Sequence, residues 1–510
     1  MTERFYVTTP IYYVNGAPHI GHAYTSVAAD VLARWNRLDG RDVLFLTGTD
    51  EYGQKVERAA QDAGVSPQDF ADRVSADFRD MAARMGISND DFIRTTEPRH
   101  HAACTELWNR LVATGDIYLG EYEGWYSIRD EAFYLEDELL MRDGVRVSPF
   151  GSPVEQVREK NYLFRLSAWQ DRLIAFYEAN PDCIGPPAKR NEVMSFVRGG
   201  LNDLSVSRMN LRWGIPVPGD PEHVMYVWLD ALTNYLTAVG WPDAQAPRAA
   251  FWPPNLQMVG KEIVRFHAVY WHAFLMAAGV EPPRRVFSHG WWTAEGEKMS
   301  KSVGNVIEPR SLVDEFGLDA VRFYLLREVP FGNDGDFSRR SLINRMNSEL
   351  ANDLGNLAQR TLSLIAKNCG GLLPAIGPAT DDDRELLGHA AALVATMRDQ
   401  LARQAFHEAL EEVWKVIRAA NAYIDRQAPW ALRKTDVVRM AAVLRVLADT
   451  IRTVATVLQP FMPGSMAAML DQAGAVPDVR SLVDLAEPLA AGTTLPPPQG
   501  IFPRFVEASA

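Results

Sequence analysis

A parallel-sheet α/β half followed by an all-α bundle is the fold class this sequence predicts, on three observations. Near the start, a β-rich run from Phe5 to Thr9 leads through His19-Ile20-Gly21-His22 into a stretch with Val27, Val31, Leu32, Trp35 and Leu38 at helical spacing. Past the middle, Lys298-Met299-Ser300-Lys301-Ser302 is flanked by Gly296 and Gly304, as a loop would be. Beyond about Ser341, apolar residues recur almost purely at helical spacing.

The elements follow in order. In the first 115 residues, strands at Phe5 to Thr9 and Val43 to Thr47 alternate with helices through Val56 to Ala63 and Phe70 to Met85, the pattern of a parallel nucleotide-binding sheet. From about Gly115 to Val224, short aromatic and acidic runs are broken by Asp143-Gly144, Gly151-Ser152-Pro153 and Pro218-Gly219, which predicts an inserted module. Strand signals return at Val224 to Trp228, Leu256 to Val259 and Val286 to Ser288, with a helix from about Ile263 to Ala278. Apolar stripes such as Leu342, Met346, Leu350, Leu354, Leu357 and Phe406, Leu410, Val413, Ile417, Ile424 then predict four or five helices packed as a bundle. From Pro477 the chain reads as an irregular tail. The expected domains are 1–115 and 225–290 as two halves of a Rossmann-type sheet, 116–224 as the inserted connective module, 291–345 as the lysine-loop and stem-contact region, 346–475 as the helical bundle and 476–510 as the tail.

At 510 residues the chain exceeds a single hydrophobic core. It has no run long and apolar enough to span a membrane, and its start lacks the basic-then-apolar pattern of a secretory leader, so a cytoplasmic protein is expected. Cys104, Cys183 and Cys369 are scattered and fit neither a disulfide framework nor a zinc-thiolate spacing. A formal charge of −13 speaks against a general nucleic-acid binder but leaves room for a local basic face, for which Arg339, Arg340, Arg345, Arg360, Lys367, Arg433 and Lys434 are candidates beside a plain solvated surface.

The two short motifs carry the chemistry. A helix N-terminus leaves backbone N–H groups unpaired and partly positive, so His19 and His22 there add donors around a phosphate, and Gly21 lets a nucleotide approach the backbone. Lys298 and Lys301 suit mobile positive charges for a phosphate chain. Together, in this order, the motifs are the signature pair of class I aminoacyl-tRNA synthetases. The stretches Thr9 to Gly53, Tyr226 to Tyr235, Gly260 to Trp271, His289 to Gly304, Asn352 to Arg360 and Ala428 to Trp430 resemble the bacterial methionyl-tRNA synthetase family.

That resemblance implies a methionine:tRNA ligase (AMP-forming) with a Rossmann catalytic domain and an anticodon-binding bundle. ATP, with Mg2+ on its phosphates, would meet His19, Gly21, His22, Gly260, Glu262, His289, Lys298, Met299, Ser300, Lys301 and Ser302, with His19, His22, Lys298 and Lys301 catalytic. L-methionine would sit among Ile11, Tyr13, Asp50, Trp228, Ala231, Leu232, Tyr235, His267 and Trp271, where aromatic walls suit a polarizable thioether and Asp50 holds the ammonium. Asn352, Asn356, Arg360 and Trp430 would read the anticodon of methionine tRNAs by stacking and base-edge bonds.

Many relatives carry a zinc knuckle in the inserted module, but the run from Trp125 to Phe164 has no cysteine. Ser148-Pro149-Phe150-Gly151 looks like a knuckle turn without ligands, so no zinc is expected, and ion pairs among Arg129, Asp130, Glu131, Arg158 and Glu159 would brace the hairpins instead. The module is too short for a separate editing domain, which leaves rejection of homocysteine to the synthetic site. A monomer is expected. Three competing readings are a class I synthetase for another apolar amino acid, a small-molecule nucleotidyltransferase with no RNA partner, and an inactive RNA-binding scaffold.

Overall fold

The computed structural model describes residues 2–506 apart from 131, 135, 143, 210 and 300–305; the side chains of Tyr122, Glu159, Val227 and Lys298 are likewise outside the description. The parallel sheet begins with β1 (Arg4–Thr8) and β2 (Tyr12–Tyr13), then α1 (Ile20–Leu38), β3 (Asp42–Asp50), α2 (Gln54–Asp62), α3 (Pro67–Arg84), β4 (Asp91–Arg94) and α4 (Pro98–Ala113). Antiparallel β5 (Ile117–Ser127), β6 (Ala132–Tyr134) and β9 (Glu155–Phe164) form the core of the inserted module, with the hairpin β7 (Leu140–Arg142) and β8 (Val145–Val147) between them. Next come α5 (Gln170–Ala179), β10 (Ile184–Gly185) and α6 (Pro187–Arg198). The short strands β11 (Leu204–Ser205), β12 (Ser207–Arg208), β13 (Pro216–Val217) and β14 (Asp220–Met225) follow.

The chain then returns to the sheet through α7 (Val227–Leu232), α8 (Asn234–Thr237), β15 (Leu256–Gly260), a π-helical turn at Phe266–Trp271, α9 (His272–Ala277) and β16 (Val286–His289). Two departures from expectation appear here. Trp228, expected at the end of a strand, lies on a helix, because β14 stops at Met225 and Tyr226 serves as the N-cap of α7. And β10, inside the 116–224 span, pairs in parallel with β16, so part of the expected insert belongs to the parallel sheet.

The parallel order is β10-β16-β15-β1-β3-β2, with β4 also on β3. Successive strand residues face opposite layers, as the two-residue period requires. Val7, Phe45 and Met258 enter the core shared with α1 and the bundle, whereas Tyr6, Leu44, Leu46 and Val259 enter the one shared with α4, α7 and α9. The strand order reverses at β1, between β15 and β3, and an open α/β sheet offers its ligand crevice at the C-terminal ends of the strands at that point.

The C-terminal half begins with β17 (Trp292–Ala294), β18 (Glu297–Lys298), α10 (Pro309–Phe316), α11 (Leu318–Arg327) and β19 (Gly335–Phe337). Helices follow: α12 (Arg339–Arg345), a π-helical segment at Met346–Gly355, α13 (Asn356–Asn368), α14 (Asp381–Ala402), α15 (Phe406–Gln427), α16 (Pro429–Leu432), α17 (Val437–Leu458) and α18 (Pro463–Gln472). α14 starts on a capping box in which the Thr380 side chain accepts from the Asp383 N–H and Asp383 answers on Thr380. The stretch beyond Pro477 is irregular, as expected, yet packs back: Arg452 donates to the carbonyls of Glu487 and Asp484, and Leu495 N–H to Gly371. No helix among the described residues is long and apolar enough to cross a membrane.

One buried guanidinium joins the halves. Arg322 on α11 lies 2.7 Å from Asp30 Oδ2 on α1 and donates to the carbonyls of Met85, Pro460 and Phe461. At the far end of α1, Arg398 of α14 pairs with Asp39 at 2.5 Å.

Candidate functional site

A cleft of about 1050 Å³ opens at the C-terminal edge of the sheet, where β1 gives way to α1. His19 is the N-cap of α1, with Nδ1 accepting from the Gly21 N–H at 3.1 Å, and His22 Nδ1 accepts from the His19 N–H at 3.1 Å. The rings lie 3.8 Å apart. Because each Nδ1 is an acceptor, a neutral ring carries its proton on Nε2, which makes the pair a set of N–H donors. Burial against Tyr12 and Phe78, and then the neighbouring His19 and Lys55, push the His22 pKa well below its ordinary value, so that ring stays neutral. A Cβ at Gly21 would lie 3.0 Å from the His19 ring, so glycine there keeps the cap in place.

On the other side of the crevice, β15 ends at Gly260, where a Cβ would fall 2.6 Å from both Glu262 carboxylate oxygens. Glu262 accepts from Trp291 Nε1 at 2.7 Å. His289, the last residue of β16, contacts Thr25 Oγ1 of α1 at 2.7 Å through Nε2 and donates to the Gly290 carbonyl from Nδ1, which ties the strand end to the signature helix. The hairpin β17–β18 turns at Glu295-Gly296, both with positive φ (50° and 83°), the two-residue turn that matches strand twist. Lys298 closes that hairpin and Met299 lines the cleft, as does Val306; Ser300, Lys301 and Ser302 lie outside the described residues, as does the Lys298 side chain.

The cleft continues into an aromatic recess. Ile11, Tyr13, Asp50, Trp228, Ala231, Leu232, Tyr235 and His267 all line it. Trp228 stacks on Phe266 at 3.7 Å and meets Tyr13 edge-on at 6.4 Å. Burial lowers the His267 pKa to about 4, so its Nδ1–H donates to the Ile263 carbonyl and its Nε2 accepts from the Tyr235 hydroxyl at 2.7 Å. Trp271 is the exception: fully buried, it stands behind Tyr235 and Trp252 and does not reach the cleft wall.

Sequence reasoning missed Lys55, Arg129, Arg142 and Phe150, which also line the cleft. Lys55, two residues beyond the first matching stretch, sits with Nζ 4.9 Å from the Tyr13 ring centre. The others come from the inserted module, where the remnant turn was the available signal. That turn is held by Asp130, whose carboxylate accepts from Ser148 Oγ, Ser152 Oγ (2.6 Å) and Tyr134 Oη (3.1 Å). One carboxylate and two serine hydroxyls are not the donor set of a structural zinc site, which is built from thiolates and imidazoles. The expected ion-pair bracing is only partly there: Arg158 pairs with Glu121 at 3.4 Å and Arg146 with Glu136, both exposed, whereas Asp130 bonds to hydroxyls; Glu131 and the Glu159 side chain lie outside the description.

In the bundle, Asn352 lies in the π-helical segment and Asn356 opens α13, both exposed, with Arg360 one turn on. π-helical turns recur at functional sites. The Arg360 guanidinium lies 5.4 Å from the Trp430 ring centre and pairs with Asp425 at 2.6 Å. Ala428 takes φ +40° to end α15, and Pro429 starts the short helix that leaves Trp430 exposed. Of the other basic candidates, Arg345 pairs with Glu328 and Glu349, and Arg339 with Glu315.

The family profile described as tRNA synthetases class I (M) matches residues 5–143 and 146–362, and that described as the anticodon binding domain of methionyl tRNA ligase matches 373–509. A methionine–tRNA ligase of Mesorhizobium japonicum is 55% identical over 508 residues, 99% of this chain and 98% of its own. One from Rhizobium meliloti is 54% identical over 513 residues, 100% of this chain and 99% of its own. Among solved structures, Mycobacterium tuberculosis methionyl-tRNA synthetase in complex with methionyl-adenylate matches with a TM-score of 0.97 at 51% identity, covering 99% of this chain and 100% of that one. With both profiles matched across nearly its whole length, the chain belongs to the class I methionyl-tRNA synthetase family.

Proposed function

We infer that this chain is a methionine–tRNA ligase: it activates L-methionine with ATP to methionyl-adenylate and pyrophosphate, then transfers methionine to the 3′-terminal ribose of initiator and elongator methionine tRNAs. The observation that carries the residue assignments is one cleft lined by His19, Gly21, His22, Asp50, Gly260, Glu262 and His289, with the aromatic recess opening from it.

The methionine carboxylate is ionised before it attacks the α-phosphorus in line, so no general base is needed and catalysis is positioning plus charge stabilisation. His19 and His22, neutral and protonated on Nε2, donate to the phosphate oxygens as the α-phosphorus gains a bond. Lys298 and Lys301 meet the charge that moves onto pyrophosphate. Magnesium bound with ATP neutralises part of the triphosphate charge. Asp50 holds the methionine ammonium, Glu262 the adenosine ribose, and Trp228, Tyr235 and His267 the side chain. Trp271 acts from behind, by bracing Tyr235. Asn352, Asn356, Arg360 and Trp430 read the anticodon. The Asp130-centred turn works without zinc, homocysteine is rejected in the synthetic site, and the enzyme acts as a cytoplasmic monomer.

Pyrophosphate exchange into ATP with each of the twenty amino acids, followed by charging of initiator and elongator methionine tRNAs, tests the assignment. Methionine-dependent exchange and charging of both tRNAs are expected. Exchange with leucine but not methionine would overturn it.

A further inference from the structure

His100 lies on α4, outside the signature motifs and outside the cleft, and is fully buried. Its two ring nitrogens reach two different helices. Nε2 lies 2.9 Å from Asp230 Oδ1 on α7, and Nδ1 lies 3.0 Å from Thr237 Oγ1 on α8. These are the helices that carry Trp228, Ala231, Leu232 and Tyr235 into the aromatic recess. Six and four residues long, they are too short to hold a shape by their own hydrogen bonds.

The surroundings leave the imidazole as the group that organises them. Asp230 is fully buried, and its Oδ2 has no hydrogen-bond partner among the described residues, so the contact with His100 is what satisfies this carboxylate. Thr237 Oγ1 also reaches the Thr233 carbonyl at 3.1 Å, so its contact with His100 fixes α8 to the turn that joins it to α7. Cys104, one turn along α4, places Sγ 3.2 Å from His100 Nε2 and 3.7 Å from the Asp230 carbonyl, and burial keeps it a thiol. Imidazole, thiol and carboxylate together are also donors that a metal ion accepts. Against that, the Nε2 to Oδ1 separation is that of a hydrogen bond, with one proton between the two atoms.

We propose that His100 is a positioning residue for methionine binding: by bridging Asp230 and Thr237 it sets α7 against α8, and with them the spacing of Trp228 and Tyr235. The proposal rests on the assignment of the recess to the methionine side chain. It places a determinant of amino-acid affinity on α4, behind the pocket and out of reach of the substrate.

The test is steady-state pyrophosphate exchange by full-length His100→Ala, His100→Gln and Thr237→Val, with thermal melts of each and with Trp228→Ala in parallel. In His100→Ala the KM for methionine should rise about tenfold while the KM for ATP stays within about twofold, since only the pocket loses its brace. His100→Gln, whose amide nitrogen can reach toward the Nε2 position, should restore most of the affinity, and Thr237→Val should give a smaller rise of the same kind. If His100→Ala does not fold, the other two variants carry the comparison. An unchanged KM for methionine in Thr237→Val, or in a His100→Ala that folds, overturns the proposal, as does a stoichiometric metal ion in the purified protein. If Trp228→Ala also leaves the KM for methionine unchanged, the pocket assignment fails instead of the bridge.

Discussion

Replacing Arg322 by alanine should loosen the signature helix from the bundle and destabilise the whole chain. Arg322 and Asp30 are both fully buried, and the guanidinium bonds to that carboxylate and to three backbone carbonyls from two other segments. Removing one member of a buried, hydrogen-bonded ion pair costs about 3–5 kcal/mol, because the remaining charge and the carbonyls lose their partner. Against a typical total of about 5–15 kcal/mol, that is a large fraction of the stability. Asp30 keeps two bonds from Ser88 and one from Arg34, which places the expected loss toward the lower end of the range. The loss should also depend on pH. Burial pushes the Asp30 carboxyl up, but Arg322, Arg34 and Ser88 together hold it below its ordinary value. Its contribution is therefore present above the ordinary carboxylate pKa and lost as pH falls through the folded value. Without Arg322 the folded value rises, so acid unfolding should begin at higher pH. Urea unfolding of wild type, Arg322→Ala and an Asp30→Leu/Arg322→Met double variant, at neutral pH and in acid, measures both effects. The double variant, with no charge left over, should recover much of the loss. A single-variant loss below about 1 kcal/mol, or a double variant no more stable than Arg322→Ala, would refute the reasoning.

Three further outcomes follow from particular distances. Gly260→Ala should raise the KM for ATP with little change in the KM for methionine, because the added Cβ sits 2.6 Å from the Glu262 carboxylate and must displace it; initial-rate exchange kinetics measure the split. His267 and His272 are both held neutral by burial, each down to about 4, whereas unfolded histidine titrates near 6.5. Their stabilisation is thus present above the unfolded value and lost as pH falls toward the folded one, at about 2–3 kcal/mol per pH unit for the two. Unfolding free energies from urea titrations should fall by at least this contribution between neutral pH and about pH 4.5, since His22 is held neutral by burial as well, and His272→Gln should remove about half of the part due to this pair. Trp430→Ala should impair charging of methionine tRNAs while leaving tRNA-free exchange intact, since the ring is exposed and is not among the residues that line the cleft; equal loss in both assays would indicate a folding defect.

The parts of the fold legible in the sequence are those in which local pattern and tertiary role agree. α1 shows its apolar stripe, and its N-cap is the first motif itself, so helix start and the proposed phosphate site coincide at His19. The bundle stripes at Phe406, Leu410, Val413, Ile417 and Ile424 are all buried, because a helix in a bundle has only one face to hide. Val224 to Trp228 is apolar and β-rich, and nothing local marks the end of β14; the chain turns into α7 with Tyr226 and Trp228 both buried in the core on that side of the sheet. β10 is two residues long and exists only through pairing with β16, a long-range contact no window of sequence contains. Lys55, Arg142 and Phe150 reach the cleft from α2 and from the inserted module, and only the folded chain brings those segments to one place.

The same distinction explains why two histidines, and not two more cations, fit the start of α1. Lysines at these positions would repel each other at a ring separation of 3.8 Å and could not accept the backbone N–H groups that cap the helix. An imidazole does both jobs: Nδ1 takes an otherwise unpaired N–H of the first turn, which fixes the ring, and that bond places the remaining proton on Nε2. Holding His22 neutral by burial keeps this arrangement across the physiological range, so the site offers directed donors with no charge-charge cost at its centre. Full positive charge is left to longer side chains: Lys55 at the cleft wall and, on the proposed assignment, Lys298 and Lys301. Fixed neutral donors can follow a phosphorus that gains a bond without moving, whereas the charge on departing pyrophosphate travels, and only a flexible ammonium can travel with it.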